Sequence, residues 1–284
     1  MKELASKLIV VVFICLALSA IASAQNAQKF EAAIRNGNSE QLRDALFELK
    51  KIADAEASLT ALPALKSSDE MVRSTAASAV IWLPADDAVA ALLPLLSDPS
   101  EFVRREAALA LGQVGDSAAC SSLLQIVRKE KILEVRNAAI IALGNIGDTS
   151  AIEPLVEILE KKPNDHDEFT RRSAARSIGQ IATAICNDRR RTVTPKNFLP
   201  LKYKEIEPEN RTADLSRSFT NAVPVLTKIV NNTKESIDTR REAAAALGFI
   251  SDPAALPLLK SCSQSSDPYL SEICKEAILR FGGR

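Results

Sequence analysis

The sequence predicts an all-α protein, an α-solenoid of antiparallel helical hairpins, and three observations carry that prediction. One short pattern returns along the chain, its apolar residues fall on a single helical stripe, and helix-stopping residues stand between the copies. With the valine-like position as the start, the copies are VRSTAASAVI from Val72, VRREAALALG from Val103, VRNAAIIALG from Val135, TRRSAARSIG from Thr170, TRREAAAALG from Thr239 and ICKEAILRFG from Ile273. Their starts lie 31, 32, 35, 69 and 34 residues apart, and the 69 is about two periods. A fixed period of roughly 30 to 40 residues marks units that bury their apolar faces only by stacking on one another.

Each copy is one helix. Apolar residues at positions 0, 4, 8 and 11, as in Val103, Ala107, Leu111 and Val114, line up on one face. A second apolar stretch precedes each of the later copies, for example AVAALLPLLSD before Val103 and AIEPLVEILEKK before Thr170. Asp98-Pro99-Ser100-Glu101 reads as an N-cap, a first-turn proline and a capping-box glutamate, and Asp267-Pro268 repeats the first two. Gly115-Asp116 and Gly147-Asp148 read as a left-handed C-terminal glycine followed at once by the next N-cap. Such short joints force neighbouring helices antiparallel. Gly112, Gly144, Gly179 and Gly248 interrupt good helices at a cost of roughly 1 kcal/mol each, which predicts that another helix approaches there within backbone distance.

The pattern VRxxAAxALGxIGD, most complete at 103–116 and 135–148, resembles the HEAT repeat, in particular the short alanine-rich kind named after the phycobilisome lyases. The resemblance spans roughly Leu59 to Gly283 and implies a right-handed superhelix. It also implies that the arginine after the valine position, here Arg73, Arg104, Arg136, Arg171 and Arg240, forms a structural column with acidic or carbonyl partners of adjacent repeats. Cys274 takes that place in the final copy.

The first segment, MKELASKLIVVVFICLALSAIASAQ, has the build of a cleaved export signal: basic Lys2 and Lys7, an apolar run from Leu8 to Ile21, and Ala22-Ser23-Ala24 before a cut between Ala24 and Gln25. The other reading, an uncleaved anchor, needs about 20 apolar residues, more than this run has. The resulting organisation is a signal peptide at 1–24, atypical capping helices at 25–58, repeats at 59–186, an irregular insertion at 187–219, and repeats with a C-terminal cap at 220–284. In the cap, Asn38-Ser39-Glu40-Gln41 opens the second of two amphipathic helices. The insertion brings three prolines and, from 187 to 217, eight basic against five acidic residues. It offers Arg189, Arg190 and Arg191 for a partner's carboxylates, and Phe198 and Tyr203 in an apolar patch. The plainer reading is a tolerated surface loop, since each doubling of loop length costs only about 0.6 kcal/mol.

Chemistry is hard to find in this chain. Lys plus Arg equals Asp plus Glu at 36 each, so no global charge points to nucleic acid or an anionic membrane. The one histidine, His166, sits in the polar interhelix loop KKPNDHDEF, so no histidine-based triad and no multi-histidine metal site is expected. Asp165, Asp167 and Glu168 beside it read as a solvated loop capping the helix at Phe169, or else as a weak cation site. No phosphate loop, nucleotide fingerprint or HExxH stretch occurs. The expectation is therefore no enzyme, no cofactor and no metal. Once the signal is removed, Cys120, Cys186, Cys262 and Cys274 remain. Cys262 and Cys274 lie on the two helices of one hairpin and are placed either to bridge or to stay as buried thiols. Asn210-Arg211-Thr212 and Asn231-Asn232-Thr233 are formal glycosylation acceptors that mean little if the protein is bacterial.

Three functions remain open. The first is an exported, periplasmic or extracellular scaffold that binds a protein or peptide through its concave helical wall or the 187–219 loop, with no nucleic acid and no membrane span after cleavage. The second is a structural envelope protein without a discrete partner. The third, a bilin lyase-like subunit, follows from the family name alone and conflicts with an export signal.

Overall fold

The computed structural model describes residues 38–191 and 218–281. The proposed signal, the cut between Ala24 and Gln25, and Phe198 and Tyr203 of the insertion lie outside these. By internal contacts the chain divides into two units, Met1–Val114 and Gly115–Arg284. All regular structure among the described residues is helical.

In the first unit the helices are α1 (Ser39–Ile52), α2 (Ala55–Ala61), α3 (Glu70–Ala79), α4 (Ala85–Leu92) and α5 (Glu101–Val114). Helix α1 opens at Asn38–Gln41, as expected, and does so with a capping box: the Gln41 amide donates to Asn38 Oδ1 at 3.0 Å and the Asn38 amide to Gln41 Oε1 at 3.1 Å. Leu46 and Leu49 of α1 are buried, as are Val72, Ala76 and Ala77 of α3, and the two helices pack together. Helices α2 and α4 each tighten into a 3-10 turn, Leu62–Lys66 and Leu93–Ser97, where Pro63 and Pro94 lack the N–H that would continue the α-helical ladder. Helix α5 starts at Glu101, two residues later than the Asp98 cap predicts. The Asp98 carboxylate still accepts from the Ser100 amide, at 2.9 Å, and it also accepts from both sides of the Arg73 guanidinium at 2.8 Å.

The second unit holds four hairpins: α6 (Cys120–Lys129) with α7 (Leu133–Ile146), α8 (Ile152–Glu160) with α9 (Glu168–Arg191), α10 (Ala222–Asn231) with α11 (Ile237–Ile250), and α12 (Leu256–Cys262) with α13 (Pro268–Phe281). Gly115 and Gly147 have φ of 76° and 80°, the left-handed region that glycine enters without strain. Asp116 and Asp148 then cap the following turns through the amides of Ala118 and Ser150. The second helices α7, α9, α11 and α13 stack in chain order. Hence the 69-residue interval is a single step, because α9 and α11 are spatial neighbours. Helix α9 also runs on through Arg191, so Arg189, Arg190 and Arg191 belong to a helix and not to an irregular loop. No helix breaker occurs between Cys186 and Arg191, and the first proline after it is Pro195.

Close approach explains the mid-helix glycines of this unit, Gly144, Gly179 and Gly248. A Cβ on Gly144 would stand 2.7 Å from Ser177 Cβ, one on Gly179 would stand 3.2 Å from Ala246 Cα, and one on Gly248 would stand 2.8 Å from Ala277 Cα. Two buried side-chain bonds stitch α9 to α7: Thr170 Oγ1 donates to Asn137 Oδ1 at 2.8 Å, and Ser177 Oγ donates to the Ile140 carbonyl at 3.0 Å. In the first unit, Gly112 is buried in α5.

Candidate functional site

The stacked second helices of the Gly115–Arg284 unit leave a groove of about 460 Å³. Gly144 and Asn145 come from α7, Arg176, Gly179, Gln180, Thr183 and Ala184 from α9, and Glu242, Ala245, Ala246 and Phe249 from α11. Small residues form the floor because helices that meet at glycine and alanine have no long side chains to fill the space above their contact. Larger groups stand at the edges. Gln180 Nε2 donates to Asn145 Oδ1 at 3.1 Å across the α7–α9 seam, and Arg176 pairs with Glu242 across the α9–α11 seam. The buried Gln180 Oε1 has no hydrogen-bond partner among the described residues, a state that costs about 1–3 kcal/mol for a desolvated acceptor. Behind the groove, Arg280 of α13 lies 4.1 Å from the Phe249 ring centroid.

Of these groove residues the sequence singles out Gly144 and Gly179, as points of close helix approach; it does not single out the amides, Arg176, Glu242 or Phe249, although a signal for the amides was there. The tenth residue after each of the first five repeat starts is Trp82, Gln113, Asn145, Gln180 and Phe249, and three of these are side-chain amides. A column of amides at a solvent-facing helical position is what a groove wanting hydrogen-bonding groups would use.

The arginine column is present and its partners vary. Arg73 holds Asp98 of the following repeat and also donates to the Ser67 and Ser68 carbonyls. Arg171 holds Glu235 of the following repeat through contacts of 2.9 and 2.6 Å, with both side chains almost fully buried, and donates to the Ile158 and Lys161 carbonyls. Arg104 donates to the carbonyls of Asp98 and Pro99, Arg136 to that of Glu130 and Arg240 to that of Val230. These carbonyls belong to each arginine's own hairpin, so the column ties helix pairs together as much as it ties neighbouring repeats. Asp267 is met by Arg241, one residue past the column, at 2.9 Å. Asp98 is held below the usual carboxylate range, first by the hydrogen bonds from Arg73 and then by the Ser100 amide, against the upward push of burial.

Cys262 and Cys274 form a disulfide bridge between α12 and α13. Cys120 is a buried free thiol, pushed up to about 11 chiefly by burial and secondarily by the charges of Asp148 and Asp116. His166 is exposed in the 3-10 turn Asp165–Asp167, where Asn164 caps the Asp167 amide at 3.0 Å. Among the described residues no group of three or more His, Cys, Asp or Glu side chains is placed to hold a metal ion, and no helix is long and apolar enough to cross a membrane.

Hairpins whose second helices stack through small residues, tied by a recurring arginine, define the class: an α-solenoid repeat protein. The family model for HEAT repeats matches residues 58–144, 133–187 and 213–278, and the chain belongs to that family. No curated protein matches it. Among solved structures, a designed armadillo repeat protein in complex with the peptide (KR)4 is similar, with a TM-score of 0.50, 18% identity, and coverage of 89% of this chain and 98% of that one. The complex of CpcE and CpcF of phycocyanin lyase from Nostoc sp. aligns with a TM-score of 0.49 and 20% identity over 89% of this chain and 86% of that one. Human deoxyhypusine hydroxylase in complex with glycerol aligns with a TM-score of 0.42 and 18% identity over 94% and 100%. At such identities the likeness is one of fold.

Proposed function

We propose that this chain is an exported, non-enzymatic HEAT-repeat scaffold, and that the groove over α7, α9 and α11 binds a protein or peptide partner. The observation that carries the reading is the groove itself: a small-residue floor, an amide pair at Asn145 and Gln180, an ion pair at one seam and an aromatic wall at Phe249. Such a surface offers shape and hydrogen bonds and brings together no nucleophile with a base. The designed armadillo protein of similar fold takes a peptide, which supports a polypeptide as the occupant here. The Cys262–Cys274 bridge supports an oxidising, extracytoplasmic address, where disulfides persist.

Capture from a native envelope extract with crosslinking tests the proposal. Ala245→Trp, which fills the groove from a half-exposed position, is expected to abolish capture while leaving the helical circular dichroism intact. Replacing Arg189, Arg190 and Arg191 by serine tests the second contact that the scaffold reading allows. It is expected to weaken capture at low salt and to make less difference at high salt, where charges are screened. Undiminished capture by Ala245→Trp would rule out the groove as the binding surface.

A further inference from the structure

In each repeat that carries it, the column arginine reaches back across its own hairpin to the C-terminal end of the first helix or the turn that follows. The contacts are Arg73 to the Ser67 carbonyl at 2.8 Å, Arg104 to Asp98 at 2.9 Å, Arg136 to Glu130 at 3.4 Å, Arg171 to Lys161 at 2.7 Å and Arg240 to Val230 at 2.9 Å. A helix C-terminus presents carbonyls without intrahelical partners and the negative end of the helix dipole. A guanidinium placed there satisfies the carbonyls and ties the two helices of the hairpin together.

The last hairpin has no arginine at this position. It has Cys274, fully buried, and Cys274 is bonded to Cys262, the final residue of α12. The covalent link therefore lands where the arginine lands in the other repeats, at the C-terminal end of the first helix. The carbonyl-capping half of the role falls to another side chain: Ser271 Oγ donates to the Ser263 carbonyl at 2.6 Å. We propose that the Cys262–Cys274 disulfide replaces the arginine tie in the terminal hairpin, so that the docking of α13 depends on the redox state of this one bond.

The dependence extends to the groove. Helix α13 backs α11 through Ala277 against Gly248 and Arg280 against Phe249, so releasing α13 removes the support behind the groove's aromatic wall. The inference itself rests only on the hairpin geometry and stands whether or not the groove binds a partner. Opening the bridge is a two-electron step. Dithiothreitol supplies two electrons and two protons, leaves thiols on Cys262 and Cys274, and departs as its cyclic disulfide, with mixed disulfides as intermediates.

Hydrogen exchange followed by mass spectrometry on the full chain tests this without reference to a partner. Reduction by dithiothreitol, or the variant Cys262→Ser, is expected to speed exchange of the α13 amides about a hundredfold, the size of effect expected when a short loop loses its cross-link, while the α7 amides keep their protection. The double variant Cys262→Ser with Cys274→Arg is expected to return α13 to within about tenfold of the oxidised protein, because a charged hydrogen bond recovers much of the tie. Unchanged α13 exchange on reduction overturns the proposal. So does a loss that the arginine variant fails to reverse, including failure of that variant to fold.

Discussion

Arg171 and Glu235 illustrate how a single residue can be both sound and fragile in this protein. Their side chains are 3% and 2% exposed, so two charges have been taken out of water. Desolvation of that kind is recovered only because the pair meets through two contacts and Arg171 also donates to two carbonyls. Removing one partner leaves a buried charge without compensation. Glu235→Ala is therefore expected to cost about 3–5 kcal/mol, measured by urea unfolding, while Arg171→Met combined with Glu235→Leu costs much less. A Glu235→Ala penalty no larger than that of an exposed pair would refute this account. Asp98 makes a pH prediction of definite sign. Its folded pKa lies below the unfolded value of about 3.9, so its contribution to stability is complete above that value and is lost as pH falls through the lower folded value. The stability gap between wild type and Asp98→Asn should stay constant from neutral pH down to about pH 5 and close below pH 4; a gap that widened on acidification would reverse the assignment.

At the scale of elements, the joints and the crossings decide. Gly248 lies where α11 meets α13, and a Cβ there would press on the Ala277 backbone at 2.8 Å. Alanine gains about 1 kcal/mol of helix propensity over glycine, but overpacking against backbone costs about 1–3 kcal/mol. Gly248→Ala is expected to be net destabilising. Gly179→Ala, whose nearest contact is 3.2 Å, should be near neutral. Thermal unfolding of the two variants side by side checks the ordering, and equal melting temperatures would show that α13 yields more easily than its packing implies. Much of this level was readable beforehand. The period of the stripe, the Gly-Asp joints and the Asp267 cap all rest on local backbone chemistry. The Asp98 carboxylate likewise acts locally, on the Ser100 amide, but its second partner Arg73, 25 residues earlier in the chain, was not readable. The end of α9 was obscured by a change in the repeat pattern that carries no helix breaker.

For the whole molecule, six copies of one motif produce stacked hairpins within each unit, and stability in such arrays accrues from neighbour to neighbour. Reading residues 1–24 as a cleaved leader makes one prediction at this scale. N-terminal sequencing of the exported protein should begin at Gln25, and a chain that retains Leu8 to Ile21 would defeat it. The sequence by itself determined the helical class, the repeat, the hairpin order and the positions of the arginines, because each follows from periodicity and from residues that act on their own backbone. Only the tertiary structure decided that Thr170 and Thr239 start neighbouring repeats despite 69 residues between them, since an insertion is invisible to helix packing. It alone selected Glu235 as the partner of Arg171, joined Cys262 to Cys274, and opened the groove beside Gln180 and Phe249. Pairings and cavities depend on which surfaces meet, and that is settled by the packing of all the helices in a unit together.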